Sequence, residues 1–298
     1  MPQPLRFGIC RNQTLPWDAL LRHFQEFERL GFDSAWDCDH FQRPSEPEAP
    51  YFEGWTTLAA LAMGTERIRL GVLVTSNTFR HPALLAKQAV TVDHISGGRL
   101  ELGIGTGWYE AEHHRFGLAF PPAPELVVRF REAVEIVDQM LRQDLTSYDG
   151  AYYRLQDAPC RPAPVQRPRP PLTLGAHGPK MLRIVAQYAD RWNSFGTVEE
   201  IRERNAILDE HCAAIGRSPN EILRSFFGQA PRDTMAGRLQ TDPWDSPEAF
   251  LDIIGQYREV GIEEFIMDGP REDQFQVMER VAVEVLPALR ADGATAPA

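Results

Sequence analysis

The chain has 298 residues, 43% of them hydrophobic, and a formal net charge of −11. That apolar content supports a large core and excludes a mainly disordered chain. The acidic balance speaks against a nucleic-acid backbone as partner, because phosphate backbones are gripped by clustered Lys and Arg; a single small anionic ligand stays compatible.

In chain order, strand and helix patterns alternate. LRFGIC is a first strand, followed by a helix near Trp17 to Leu30 that stops at Gly31. SAWDC is a second strand, with a helix near Trp55 to Met63 ending at Gly64. RIRLGVLV is a third; its helix opens at Pro82, where a missing amide costs nothing, and closes at Gly97-Gly98. RLELGIG is a fourth, followed by an amphipathic helix from Arg129 to Gln143. PLTLG, DRWNS, EILRSFF and EEFIMDG supply strands five to eight, with helices from Pro179, Glu199 to Ile215, Pro247 to Val260 and Glu272 to Ala288.

Eight strands alternating with eight helices predict a single (β/α)8 TIM barrel domain over 1–298, with insertions and a frayed tail at 289–298. An open doubly wound sheet is the alternative, and the count of eight favours the barrel. Three stretches interrupt the alternation. Residues 106–128 follow strand four. Residues 144–171 hold a hairpin, YDGAYYRL, and a Pro-rich connector, CRPAPVQRPRPP. Residues 228–246 follow strand seven.

The cysteines at 10, 38, 160 and 212 form no C-x-x-C pair. They indicate neither a zinc ribbon nor a redox dithiol and fit a reducing cytoplasm. MPQPLRFGIC lacks the apolar run of a secretory signal, and no apolar run reaches membrane-spanning length.

In a barrel the active site lies at the C-terminal ends of the strands. Strand two ends in Asp37-Cys38-Asp39-His40. A carboxylate beside an imidazole can fix its tautomer and raise its pKa, so Asp39 and His40 are the candidate catalytic pair. Simple capping of the turn is the plainer alternative. A metal site lacks an H-x-x-x-H partner motif, and the adjacent His113 and His114 cannot face one ion from a helix; no metal is expected. Strand three ends in Thr75-Ser76-Asn77-Thr78, donors and acceptors suited to a heteroaromatic ring. Strand four ends in Gly103-Ile104-Gly105-Thr106-Gly107-Trp108. Its glycines let backbone approach a ligand, but the spacing is not the dinucleotide fingerprint. Trp108 is a candidate for stacking or for ordinary packing. Strand five ends in Gly175-Ala176-His177-Gly178-Pro179-Lys180, where a helix starts. Free amides there favour an anion, with Lys180 adding charge.

Together, SAWDCDHF, LGVLVTSNTFRHPALLAKQAVTVDHISGGRLELGIGTGWYEAEH and PLTLGAHGPKMLRIVAQYADRWN resemble the bacterial-luciferase-like family, most of all its branch using the deazaflavin coenzyme F420. The resemblance implies a barrel, often a homodimer, with a non-prolyl cis peptide at Leu73–Val74 behind the cofactor ring. It implies cofactor contacts at Leu73, Val74, Thr75, Asn77, Gly105, Thr106 and Gly107, and phosphate contacts at His177, Gly178 and Lys180; Trp108, read from the residues alone, is a further candidate for cofactor contact. The deazaflavin sugar-phosphate dehydrogenases carry a glutamate where this chain has Trp108, which points to a more apolar substrate. The implied activity is hydride transfer between F420 and a small organic molecule. The rival readings are an FMN-dependent monooxygenase served by a separate flavin reductase and a flavin- or deazaflavin-binding protein without turnover.

Overall fold

The computed structural model describes residues 4–231 and 239–295. Eight parallel strand positions close into a barrel. They are β1 (Arg6–Cys10), β2 (Ser34–Asp37), β3 (Arg69–Val72) with its short continuation β4 (Thr75–Ser76), and β5 (Leu100–Gly105). After the antiparallel hairpin β6 (Leu145–Asp149) and β7 (Arg154–Pro159) come β8 (Leu172–Gly175), β9 (Arg191–Ser194), β10 (Leu223–Gly228) and β11 (Glu264–Asp268). Neighbours pair in the order β3-β2-β1-β11-β10-β9-β8-β5, and β3 pairs with β5 to shut the ring. The (β/α)8 expectation therefore holds, and the open sheet does not.

The outer helices are α1 (Trp17–Arg29), α2 (Gly54–Met63), α3 (Pro82–Ile95), α5 (Ala123–Arg142), α6 (Pro179–Tyr188), α7 (Val198–Ala214) and α8 (Pro247–Arg258). The short α4 (Glu110–Arg115) lies in the insertion after β5. Each outer helix buries one stripe against the strands, as α1 does with Leu20, Phe24 and Phe27. Helix α5 starts six residues before the expected Arg129. Pro122 and Pro124 sit at its N-cap and first turn, where proline is tolerated, and Leu126 extends the buried stripe.

The last helix is not uniform. It runs as α9 (Phe275–Arg280), a π-turn over Val281–Val285 and α10 (Leu286–Thr295). Pro287 has no amide and crowds the carbonyl four residues back; the Leu286 amide reaches Val281 O instead. Helix α10 runs into the segment expected to fray, 289–298, and Leu289 is buried there. Residues 232–238, within the third irregular stretch, lie outside the described residues.

Inside the barrel the side chains form layers. At the N-terminal end, Arg191 lies between Glu101, at 2.7 Å, and Glu264, at 2.9 Å, all three buried, and Arg69 closes on Glu101 from the side. Trp36 fills the middle beside Cys10 and Ile266. The C-terminal layer opens into a cavity.

Candidate active site

The cavity has a volume of about 430 Å³, and its wall draws on the ends of most barrel strands and on the α4 insertion. Its floor depends on an irregular strand. After Val72 the chain passes through a cis Leu73–Val74 peptide and resumes pairing at Thr75. Val74 then lies across the ends of β5 and β8. A Cβ added at Gly105 would come within 2.6 Å of Val74 Cγ2, and one at Gly175 within 2.9 Å. These two glycines make room first for Val74, whose side chain, with Leu73, is what a ligand would meet. Gly107 has φ +84°, and a Cβ there would lie 2.5 Å from Thr78 Oγ1.

The polar cluster Thr75 to Thr78 divides by the strand alternation. Thr75 is buried and faces outward, accepting a hydrogen bond from Trp55 Nε1 at 3.1 Å. Asn77 is also buried and does not line the cavity; Ser76, between them, does. The expectation from sequence fell on the other face, since nothing in T-S-N-T fixes the phase after the bulge.

His40 lines the cavity, but Asp39 does not hold it. The Asp39 carboxylate takes both terminal nitrogens of Arg80, at 2.6 and 2.8 Å, and the Ser76 amide at 2.7 Å. It ties the end of β2 to the bulged strand. The partner of His40 is Glu112 on α4, whose Oε2 lies 2.8 Å from Nδ1. Glu112 is completely buried, and its Oε1 accepts the amides of Phe41 and Gln42 at 2.6 and 3.1 Å. Those amides lie just past β2, where no strand partner satisfies them. Burial opposes charge on His40, but the hydrogen bond and the negative charge of Glu112 outweigh it, so the imidazole pKa is raised. The Trp108 ring stands edge-to-face with His40, centroids 5.8 Å apart, and is half exposed at the rim. Neighbouring His113 is spoken for, with Nε2 at 2.6 Å from Thr78 Oγ1 and Nδ1 at 2.9 Å from Tyr109 O.

Glu112 was missed in the sequence because it sits in the insertion 106–128, 72 residues from the imidazole it meets. The available signal was an acid at the third position of a short helical turn, E-A-E-H-H, flanked by aromatics.

On the far wall, His177 Nδ1 lies 2.9 Å from Ser194 Oγ. Burial and the nearby Arg204 guanidinium push its pKa down to about 4, so it is neutral at neutral pH. Beside it, α6 starts at the N-cap Gly178 with no side-chain cap on its first amides. Gly178 and Lys180 are exposed and outside the cavity wall, whereas Gly105, Thr106, Gly107, Trp108 and His177 line it. Among the described residues, no cluster of three His, Cys, Asp or Glu could hold a metal ion.

Titrating and polar groups gathered at the C-terminal mouth of a (β/α)8 barrel mark the working end of an enzyme. The chain belongs to the luciferase-like monooxygenase family, whose model matches residues 5–236. It is 27% identical to the F420-dependent glucose-6-phosphate dehydrogenase of Microbacterium testaceum, over 97% of this chain and 99% of that protein. It is 34% identical to the enzyme of the same name from Kineococcus radiotolerans, over 75% of this chain and 67% of that one. The F420-dependent tetrahydromethanopterin reductase of Methanopyrus kandleri shares the fold, with a TM-score of 0.80 at 22% identity, covering 96% of this chain and 99% of that one.

Proposed function

We propose that this protein is an F420-dependent oxidoreductase that moves a hydride between the deazaflavin and a small organic substrate. The observation that carries this is the similarity, over nearly the whole chain, to F420-dependent dehydrogenases, joined to a cavity whose floor and walls suit the group. Leu73 and Val74 offer an apolar seat for a flat ring, Ser76 and Thr106 offer hydrogen bonds at its edge, and the uncapped α6 amides beside neutral His177 suit a phosphate. The deazaflavin supplies or accepts the hydride at its ring carbon; the protein's residues seat it, exclude water and handle the proton.

That proton belongs to His40. With Nδ1 taken by Glu112, Nε2 is the nitrogen left to meet a substrate oxygen. Asp39 serves the site by bracing β2 against the bulge through Arg80. The substrate we infer is uncharged and fairly apolar, a carbonyl compound or its alcohol. Arg43 is the one guanidinium among the described lining residues, and it is engaged by Glu46 at 3.0 Å; Trp108 and Tyr109 occupy the rim. A test is anaerobic oxidation of reduced F420 against matched panels of ketones and sugar phosphates. Turnover confined to the phosphorylated sugars would contradict the substrate reading, and activity requiring FMN and oxygen would contradict the whole.

We also propose a homodimer through α2 and α3, which leave Met63 and Leu84 exposed. Sedimentation showing a monomer at micromolar concentration would exclude it. The cytoplasmic setting is proposed from the four cysteines, which show no C-x-x-C pair in the sequence.

A further inference from the structure

We propose that Glu112 is the positioning residue of the site, fixing His40 as the tautomer that carries its proton on Nδ1 and leaves Nε2 bare toward the cavity. Three features lead there. Glu112 offers only acceptors: Oε1 receives two backbone amides and Oε2 faces the ring nitrogen at 2.8 Å. Its side chain has no exposure, so water does not compete for that contact. The amides it accepts are those of Phe41 and Gln42, the residues directly after the imidazole, so one carboxylate fixes both the ring and the backbone that bears it. An acceptor at Nδ1 requires a hydrogen there, and in the neutral ring the lone pair is then on Nε2.

The consequence is directional, and it rests on the F420-dependent hydride transfer proposed above. With oxidised F420 in the cavity, a substrate alcohol would give up to it the hydrogen of its carbinol carbon together with both bonding electrons. The O–H electron pair becomes the second carbon–oxygen bond, and the proton goes to Nε2. Reduction runs the same steps backwards, with the doubly protonated ring as donor. The carboxylate stabilises that charged ring in both directions through its contact at Nδ1.

The charged and titratable groups facing His40 are Glu112 from α4, Cys38 and Asp39 from the end of β2, and Arg43, Tyr109 and His113 along the same cavity wall. Asp39 has its hydrogen bonds taken by Arg80 and the Ser76 amide, and His113 has both nitrogens occupied. Among these groups Glu112 is thus the one hydrogen-bonded to the ring. Glutamine at this position keeps an oxygen for the two amides but turns an NH2 toward Nδ1. That forces the ring to accept at Nδ1 and carry its hydrogen on Nε2.

The test is long-range 1H–15N correlation of the 15N-labelled full-length protein across pH, with His40 assigned among the eight histidines by a His40→Gln variant. The expected wild-type spectrum shows His40 as the Nδ1–H form, titrating above the usual imidazole value. In Glu112→Gln the ring changes to the Nε2–H form, its midpoint falls by about one unit or more, and the matching limb of the kcat profile moves with it. F420 affinity stays within about twofold, since Glu112 faces the imidazole. A wild-type Nε2–H ring, or a Glu112→Gln protein with unchanged tautomer and midpoint, would overturn the proposal. The wild-type spectrum decides even if the variant fails to fold. Failure to bind F420 would sink the functional reading while leaving the tautomer intact, so the two failures are told apart.

Discussion

The two ends of the barrel both bury charge, and they use it differently. At the N-terminal end Arg191 is enclosed by Glu101 and Glu264, with Arg69 outside Glu101. Every member is held by another member, and Trp36 roofs the cluster, with the Arg191 guanidinium 5.5 Å from its ring. At the C-terminal end the carboxylates of Glu112 and Asp39 are just as deeply buried. Here, however, one partner, His40, lines an open cavity. Buried charge alone therefore does not mark a site; a buried pair with one titrating member facing a cavity does.

The ends also differ in how well the charges are compensated. Burial raises the pKa of both carboxyls of the N-terminal cluster, but Arg191 and Arg69 bring Glu101 below its usual value. Glu264 stays above its own, burial winning. Its contact with Arg191 Nε, though 2.9 Å, is out of hydrogen-bond alignment. At the mouth, burial pulls the imidazole pKa down, and the aligned Glu112 carboxylate, with smaller help from Cys38 and Asp39, brings it above its usual value.

Substitutions should separate the two ends, and the largest effect is expected at the mouth. His40→Gln should lower kcat by about 10²–10⁴-fold, the usual range for a lost acid–base group, with F420 affinity nearly unchanged and the melting temperature lowered only below the folded imidazole pKa, where the charged ring stabilises the fold. Steady-state kinetics beside calorimetry would check this, and a full loss of fold would place His40 with the structural charges of the N-terminal cluster. Arg191→Met should do the reverse. Two carboxylates are left facing each other inside the barrel, costing about 3–5 kcal/mol of stability, while the protein still folded at low temperature keeps its F420 affinity.

Gly105→Ala tests the link between the ends of the strands. The new Cβ would stand 2.6 Å from Val74 Cγ2, and overpacking of that kind costs about 1–3 kcal/mol. The displaced Val74 should weaken F420 binding, read by ring fluorescence; unchanged affinity would remove Val74 from the cofactor seat. Smaller effects belong to pH. Glu101's folded pKa lies below its unfolded one, so its stabilisation is present above the unfolded value and is lost as pH falls through the folded value. His40's is raised, so its contribution is full below the unfolded pKa and is lost as pH rises through the folded one. Glu101→Gln should flatten the acid side of the stability curve and His40→Gln the neutral side. The smallest effect is a control: Arg154→Ala removes a pair with Asp149 in which both side chains are more than 80% exposed, and stability should change by less than about 0.5 kcal/mol.

Much of this was legible in the chain itself. The eight strands, the hairpin at YDGAYYRL and the Pro82 helix start come from alternation and punctuation, which are local properties. The imidazole at the end of β2 was legible because a barrel works at its strand ends. What escaped were long-range choices. Asp39 and His40 are adjacent in sequence, yet the first turns to Arg80, 41 residues on, and the second to Glu112, 72 residues on. The bulge at Leu73–Val74 shifts the phase of the next residues, so Ser76 rather than Thr75 or Asn77 reaches the cavity. The prolines before Glu125 hid the first turn and a half of α5. In each case the deciding partner lies in another element, where a one-dimensional pattern carries no information about facing.

A deazaflavin seated over Leu73 and Val74 is the central claim for this cavity. The most direct measurement is a paired equilibrium titration of the purified apo-protein with F420 and with FMN, followed by ring fluorescence. Tighter binding of F420, weakened by Gly105→Ala, is the predicted result. Tighter binding of FMN, or binding of neither, would contradict it.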